Sequence, residues 1–258
     1  MNGELEGLAT VVDAAARSHC AIEQLSIRRD LSVADAYAIQ HAAIQRRIDR
    51  GEMPVGVKLG FTSREKALQM GVHDVILGHL TDAMRLADGG RLELAAYIHP
   101  RIEPEIAFLL NRPLRGQLSE IEALAAVAAV APALEVIDSR YRDFKFALSD
   151  VIADNSSAAA FVIGPWMPPP LDLSDLAMAM EFDGQVVRAG VSSAILGHPL
   201  KALAAAARIA DGLGETLEEG WIVMAGAATA AEPLRPGLTV RNVVSQLGSV
   251  SIRVGGAA

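Results

Sequence analysis

Two glutamates that stand two residues apart, Glu103 and Glu105, constrain the fold most strongly because an apolar strand follows them directly. Side chains two apart on a strand point to the same face, so both carboxylates are directed at one place. There they repel each other unless a cation or a shared proton lies between them. A hard divalent cation such as Mg²⁺ suits such a pair. The alternative is a solvated face, and Pro104, which donates no ladder hydrogen bond, favours a sheet edge or bulge.

The composition predicts a soluble, globular protein with a sizeable core. The 258 residues are 51% hydrophobic, and the net charge of −8 argues against nucleic-acid or anionic-membrane partners. We expect a cytoplasmic location, because residues 1–7 show no basic signal-peptide region and Cys20, the single cysteine, cannot form an intramolecular disulfide. The longest apolar run, 123–134, is too short to span a bilayer.

The first fifty residues predict two amphipathic helices, at 5–18 and from Ser32 to about Arg50. Ser32 and Asp35 resemble a capping box, and Gly51 ends the second helix. We therefore divide the chain into an N-terminal helical segment, 1–53, and a catalytic domain, 54–258.

The remainder predicts short strands with a few helices between them and no strict βαβ rhythm, which indicates an α+β fold with a mixed or mostly antiparallel sheet. Predicted strands lie at 55–61, 76–80, 102–110, 132–137, 221–225 and 240–254, and predicted helices at 63–70, 121–130 and 199–213. Residues 178–187 predict a strand, or a strand pair with a turn at Asp183 and Gly184.

Three further polar features lie in apolar surroundings. Glu135 interrupts a predicted strand and is costly to bury unless it binds a metal or pairs with Arg140 or Arg142. Lys58 either extends to the surface or enters a pocket, where it would orient an anion or stabilise an enolate. Residues 154–157 read Asp-Asn-Ser-Ser, which fits a polar cluster in the site or simply a turn or helix cap.

Four motifs in order resemble those of the 2-keto-4-pentenoate hydratases and 4-oxalocrotonate decarboxylases, within the fumarylacetoacetate hydrolase superfamily. They are Gly56–Ser63, Ile102–Phe108, Leu134–Arg140 and Ala153–Ser157, with Gly226 and Thr229 as a looser fifth match. The segments 61–64, 99–105 and 141–146 are more similar to the decarboxylase branch than to the hydratase branch.

The resemblance implies a mixed β-roll surrounded by helices, and a Mg²⁺ site, with Mn²⁺ as the alternative metal and no organic cofactor. Its implied metal ligands are Glu103, Glu105 and Glu135. Its implied catalytic residues are Lys58 and Asp154, and its implied substrate-binding residues are Leu59, Ser157 and Thr229.

The implied reaction is metal-dependent decarboxylation of 2-oxo-3-hexenedioate (4-oxalocrotonate) to 2-hydroxypenta-2,4-dienoate in catechol meta-cleavage. A metal that chelates the first carboxylate and the 2-oxo oxygen makes that end of the substrate an electron sink. Hydration of 2-hydroxypenta-2,4-dienoate is the alternative reaction, and a non-catalytic partner subunit of a hydratase is the alternative of another class. We expect a homo-oligomer, and the resemblance also implies a complex with the pathway hydratase.

Overall fold

The computed structural model describes residues 3–62, 74–170 and 172–256. Five described helices are α1 (Gly3–Ser18), α2 (Val33–Asp49), α3 (Glu120–Leu124), α4 (Leu148–Ala153) and α5 (Pro199–Gly212). The described strands are β1 (Pro54–Gly60), β2 (Ile76–Thr81), β3 (Arg85–Leu86), β4 (Gly90–Leu92), β5 (Arg101–Leu110), β6 (Val127–Ile137), β7 (Ala158–Ile163), β8 (Ala177–Phe182), β9 (Gln185–Val191), β10 (Ile222–Met224), β11 (Glu232–Pro233), β12 (Thr239–Val244) and β13 (Gly248–Val254). The helix predicted at 63–70 lies outside the described residues.

The two N-terminal helices form as predicted and are tied to the sheet behind them. The Ser32 hydroxyl accepts from the Asp35 amide and the Asp35 carboxylate accepts in return, which completes the capping box at the start of α2. Further along α2, the buried Gln40 amide donates to the carbonyls of Leu77 in β2 and Ile152 in α4, at 2.9 and 2.8 Å. The N-terminal segment therefore supports two elements that carry site residues. No described helix has both the length and the apolarity needed to cross a membrane.

Two sheets form the body of the molecule. The larger follows the order β2-β1-β10-β5-β6-β7-β3, with β11 also paired to β5, and the smaller follows β4-β13-β12-β8-β9. Apolar side chains from both sheets meet in one buried cluster, including Leu134 and Val136 from β6 with Val250 and Ile252 from β13. The mixed sheets with surrounding helices confirm the predicted α+β fold.

The prediction of a helix at 121–130 is wrong beyond Leu124. The chain enters β6 at Val127, and β6 then pairs with β5 along its whole length, from Leu110 opposite Val127 to Arg101 opposite Ile137. Alanine favours helix whereas valine favours strand, so the local signal is mixed and pairing with the long strand β5 decides the conformation.

Pro104 does not mark an outer edge of the sheet, because β5 lies between β10 and β6. The strand on the β10 side is interrupted, however: β10 ends at Met224 and β11 begins at Glu232. The Pro104 carbonyl faces this gap and accepts from the Ala228 amide at 3.2 Å. Since the nitrogen and carbonyl of one strand residue point to the same side, the missing N–H of Pro104 falls where no strand requires it.

Candidate metal centre and substrate pocket

Three carboxylates converge at the centre of the larger sheet. Antiparallel pairing places Glu103 of β5 directly opposite Glu135 of β6, and Glu105 follows on the same face of β5. Their ligand atoms lie within 4.8 Å of one another, and all three side chains are buried. The shared face predicted from the two-residue spacing is confirmed, and the solvated edge is excluded. We call Glu103, Glu105 and Glu135 the carboxylate cage.

The carboxylate cage contains oxygen atoms that the described residues do not satisfy. The Gly226 amide donates to Glu105 Oε2 at 2.9 Å, and the Lys58 ammonium group lies 3.0 Å from Glu135 Oε1, but Glu105 Oε1 and Glu135 Oε2 have no hydrogen-bond partner among the described residues. Burial, followed by repulsion from Glu135, raises the pKa of Glu105 well above its ordinary value. Burial also raises the pKa of Glu135, against the lowering effect of Lys58. Such an oxygen-only set of acceptors fits a hard divalent cation.

Lys58 lies inside the molecule beside the carboxylate cage. Its side chain is 3% exposed, and Nζ lies 3.0 Å from Glu135 Oε1. The same ammonium group donates to the Ser156 carbonyl at 2.8 Å. Of the two alternatives for Lys58, the structure therefore shows the pocket position, and Glu135 pairs with this lysine rather than with Arg140 or Arg142.

The turn at 155–157 that holds the lysine has a strained backbone. Its three residues have φ of 50°, 52° and 58°, in the left-handed region that non-glycine residues rarely adopt. The Asn155 side chain accepts from the His79 amide at 2.7 Å and donates to the His79 carbonyl at 2.9 Å. The Ser156 hydroxyl donates to the Leu77 carbonyl at 3.0 Å. Strand β2 thus fixes the turn and directs the Ser156 carbonyl at the lysine. Nothing in the sequence singled out His79 for this task.

Asp154 does not line the pocket; it lies behind the turn and binds Arg140. Its carboxylate accepts from the Arg140 backbone amide at 3.0 Å and from the Arg140 guanidinium, which also donates to the Asp154 carbonyl. The guanidinium further donates to the Asp138 carbonyl at 2.7 Å. Burial raises the pKa of Asp154 to about 6, although Arg140 acts to lower it. This arrangement favours a positioning role for Asp154 over the catalytic role that the sequence predicted.

The carboxylate cage adjoins a cavity of about 130 Å³ through Glu103. Lys58, Glu103 and Ser157 lie on its wall, as does the predicted substrate-binding residue Leu59. Thr229, also predicted to bind substrate, is not on this wall; its methyl group lies beside Gly190 of β9.

Thr62 and Ser156 also line the cavity, but most of the remaining wall consists of large apolar residues that were not predicted as part of the site. They are Phe61, Ile76, Ile137, Phe144, Phe146 and Val151. Three of them lie in the segments 61–64 and 141–146, which already resembled the decarboxylase branch, so the signal was present in the sequence without a role attached to it.

The chain is similar to proteins of known function along most of its length. The chain is 53% identical to a 4-oxalocrotonate decarboxylase of Pseudomonas sp. over 98% of this chain and 99% of that one. It is 38% identical to a 2-keto-4-pentenoate hydratase of Paraburkholderia xenovorans strain LB400, covering 86% of this chain and 83% of that one. The fold superposes on 4-oxalocrotonate decarboxylase from Pseudomonas putida G7, complexed with magnesium and adipate, with a TM-score of 0.95, 37% identity and 98% coverage of both chains.

The family model for the fumarylacetoacetate (FAA) hydrolase C-terminal region matches residues 55–255, which is most of the chain. These residues contain the carboxylate cage, Lys58 and every part of the cavity wall described above. The chain belongs to the fumarylacetoacetate hydrolase family.

Proposed function

We propose that this protein is a carbon–carbon lyase that decarboxylates 2-oxo-3-hexenedioate to 2-hydroxypenta-2,4-dienoate with Mg²⁺. The observation that carries the proposal is a buried cage of three carboxylates with unsatisfied oxygens, beside Lys58 and open to an apolar cavity. The relatives named 4-oxalocrotonate decarboxylase support the reaction, since one matches this chain over nearly its full length.

Glu103, Glu105 and Glu135 would hold the divalent cation, with Mn²⁺ as the alternative to Mg²⁺. A 2-oxo acid can chelate such a cation through its carboxylate and 2-oxo oxygens, and the cation would then supply Lewis-acid stabilisation of negative charge at that end. The protein fixes the cage before the cation arrives, because the pairing of β5 with β6 sets two ligands and Gly226 orients the third.

Lys58 acts on the oxygen at C2 of the substrate, where negative charge develops. Its contacts with Glu135 and the Ser156 carbonyl hold the ammonium group inside the pocket, so no reorganisation is needed during the reaction. In this proposal Lys58 donates a hydrogen bond to this oxygen, and then the proton that releases the dienol. Leu59 and Ser157 contact the substrate from the cavity wall, and the 154–157 turn shapes the pocket.

The chemistry needs no nucleophile and no organic cofactor. The bond between C5 and the C6 carboxylate breaks, and its electron pair forms the C4–C5 double bond. The former C3–C4 double bond shifts to C2–C3, and the charge reaches the oxygen at C2. Carbon dioxide leaves, and one proton is taken up to give 2-hydroxypenta-2,4-dienoate.

Hydration of 2-hydroxypenta-2,4-dienoate is the second candidate, favoured by the similarity to 2-keto-4-pentenoate hydratases. It would use the same carboxylate cage but would deliver water and a proton to the diene. We rank it second because the far wall of the cavity is apolar among the described residues.

The proposal extends to the organisation of the protein. Residues 1–53 form a helical segment that supports the catalytic domain, 54–258, as the bonds of Gln40 to β2 and α4 suggest. The protein works in the cytoplasm as a homo-oligomer and associates with the pathway hydratase. The unsatisfied cage beside Lys58 argues against a purely structural partner subunit.

The test is to assay the purified protein with Mg²⁺ on 2-oxo-3-hexenedioate and, separately, on the dienoate, while carbon dioxide and the dienol are followed. Release of carbon dioxide with formation of the dienol is expected. Water addition without carbon dioxide would establish the hydratase instead. Inactivity combined with stabilisation of a hydratase would establish the partner subunit.

A further inference from the structure

Phe144 separates two cavities and has a cation on one side. Its ring lines the substrate cavity and also a second cavity of about 560 Å³, whose wall includes His99 and Arg101. The Arg101 guanidinium carbon lies over this ring, 4.5 Å from the centroid, and the His99 ring lies 5.0 Å away. On the substrate side, the Phe146 ring lies 6.0 Å from Phe144. The Phe144 ring therefore lies between a permanent positive charge and the substrate cavity.

The backbone at this point is held in a costly conformation. Asp143 and Phe144 both have φ of 57°, in the left-handed region. Two successive non-glycine residues with such angles persist only where the surroundings determine them, and such strain clusters at functional sites. Here the stacking of Phe144 against Arg101 and His99 supplies that restraint.

Charge is distributed unevenly along the substrate cavity. Among the described residues on its wall, the charged ones are Lys58 and Glu103, and both lie at the end that contains the carboxylate cage. A six-carbon dicarboxylate whose 2-oxo end lies at the metal site of the cage would extend its second carboxylate towards the apolar wall. That wall includes Phe61, Phe144 and Phe146.

We infer that Phe144 keeps the guanidinium of Arg101 away from the carboxylate that is lost as carbon dioxide, and so favours decarboxylation over tight substrate binding. This inference rests on the proposed function and adds a specificity-determining residue to it. The departing carboxylate carries a full charge in the bound substrate but becomes neutral as carbon dioxide leaves. A cation beside it would stabilise the substrate more than the transition state and would raise the barrier.

The sharpest test uses two ligands that differ only in the distal carboxylate, 2-oxoadipate and 2-oxohexanoate. Neither contains the conjugated double bond, so calorimetry with Mg²⁺ measures binding without turnover. Phe144→Ala opens the path to Arg101, and we expect it to bind 2-oxoadipate about tenfold to a hundredfold more tightly, the usual strength of a hydrogen bond to a charged group. Its affinity for 2-oxohexanoate should not rise.

Kinetics with 2-oxo-3-hexenedioate give the second readout. For Phe144→Ala we expect both kcat and KM to fall at least about tenfold, because the new contact stabilises the ground state. The double variant Phe144→Ala with Arg101→Met should lose the gain in 2-oxoadipate affinity. Phe144→Leu keeps an apolar barrier and serves as the matched control, which should show no selective gain in affinity for 2-oxoadipate over 2-oxohexanoate.

Arg101→Met tests the inference without altering Phe144. It therefore provides a test even if Phe144→Ala does not fold. We expect unchanged affinity for 2-oxoadipate, and a loss of more than threefold would overturn the inference, because Arg101 would then contact the ligand in the unaltered protein. Equal affinity changes for both ligands in Phe144→Ala would overturn it as well. Failure of the proposed function has a separate signature, the absence of carbon dioxide release by the unaltered protein.

Discussion

Two buried ion-pair clusters lie on either side of the 154–157 turn, and they are built in opposite ways. In one, Arg140 and Asp154 satisfy each other, since both carboxylate oxygens accept hydrogen bonds and the guanidinium also reaches backbone carbonyls. In the other, Lys58 faces the carboxylate cage, where Glu105 and Glu135 retain oxygens without a hydrogen-bond partner among the described residues.

This difference separates a structural cluster from a binding site. Burying a polar group without a hydrogen-bond partner costs free energy. A complete network therefore stabilises the fold, whereas an incomplete network indicates a site that binds a ligand. Both clusters carry motif residues and both are buried, so neither burial nor motif membership distinguishes them. The two clusters differ in whether each carboxylate oxygen has a hydrogen-bond partner.

The largest expected effect is the loss of turnover when a glutamate of the carboxylate cage is replaced. Glu105→Ala and Glu135→Ala should each lower metal-dependent turnover at least about a hundredfold, because a metal ion contributes several kcal/mol to such a reaction. The protein should stay folded, since each change removes a buried carboxylate that lacks full hydrogen bonding. Steady-state kinetics and calorimetry with Mg²⁺ check this, and unchanged Mg²⁺ affinity would refute the assignment of the ligands.

The complementary experiment removes one partner of the Arg140–Asp154 cluster and measures the effect on stability. Arg140→Met leaves Asp154 buried and unpaired, and should lower the free energy of unfolding by about 3–5 kcal/mol. Urea denaturation of the metal-free protein measures the loss. Lys58→Met is the matched control, because it removes a cation of similar burial from the other cluster. A larger loss in Lys58→Met than in Arg140→Met would invalidate the comparison.

Replacing Lys58 should impair turnover more than it impairs Mg²⁺ binding. With Lys58→Met we expect kcat to fall about tenfold to a hundredfold, the strength of a lost charge-assisted hydrogen bond, while Mg²⁺ affinity changes by less than about tenfold. Kinetics and calorimetry on the same preparation separate the two quantities. Normal turnover would remove Lys58 from the mechanism.

The smallest expected effect concerns Glu215, a partly exposed carboxylate that two histidines satisfy. Its oxygens lie 3.2 Å from His41 Nδ1 and 2.8 Å from His79 Nε2. Burial alone would raise the pKa of Glu215, but the contacts with these histidines outweigh it and lower the pKa to about 2. The depressed pKa gives stability that is present above the ordinary value of 4.5 and is lost as the pH falls towards 2.

The contact with Glu215 also raises the pKa of His41 above 6.5, so the His41 contribution is present below that pH and is lost as the pH rises through the raised value. We expect Glu215→Gln to cost about 1–2 kcal/mol of unfolding free energy near pH 5–6, after allowance for partial exposure, and less near pH 3. Urea denaturation across this pH range measures the difference. A cost that is independent of pH would show that the contact is not ionic.

Prediction from sequence worked best where the signal is local. The Ser32 capping box, the ends of α2 and the hairpin between β8 and β9 depend on neighbouring residues, and they form as expected. The shared face of Glu103 and Glu105 follows from strand geometry alone. Residues 127–130 are predicted as helix but form strand, because only the partner strand β5 specifies that conformation.

The candidate site divides in the same way. Ordered motifs were enough to indicate the family and to select the members of the carboxylate cage, Lys58 and the 154–157 turn, because each motif keeps its residue types at fixed spacing. Spacing along the chain does not say which partner a buried charge has. The resemblance implies a catalytic role for Asp154 and substrate binding for Thr229, whereas the structure pairs Asp154 with Arg140 and places Thr229 off the cavity wall.

The sequence by itself determined the chemistry that this protein can hold: three carboxylates, one lysine and a strand that aims two of the carboxylates at one point. Only the tertiary structure decided how that chemistry is distributed, by placing Glu135 opposite Glu103, giving Arg140 to Asp154 and setting Phe144 against Arg101. The reason is physical, since whether a buried charge is satisfied depends on atoms that are far apart in the chain and meet only when the sheets form.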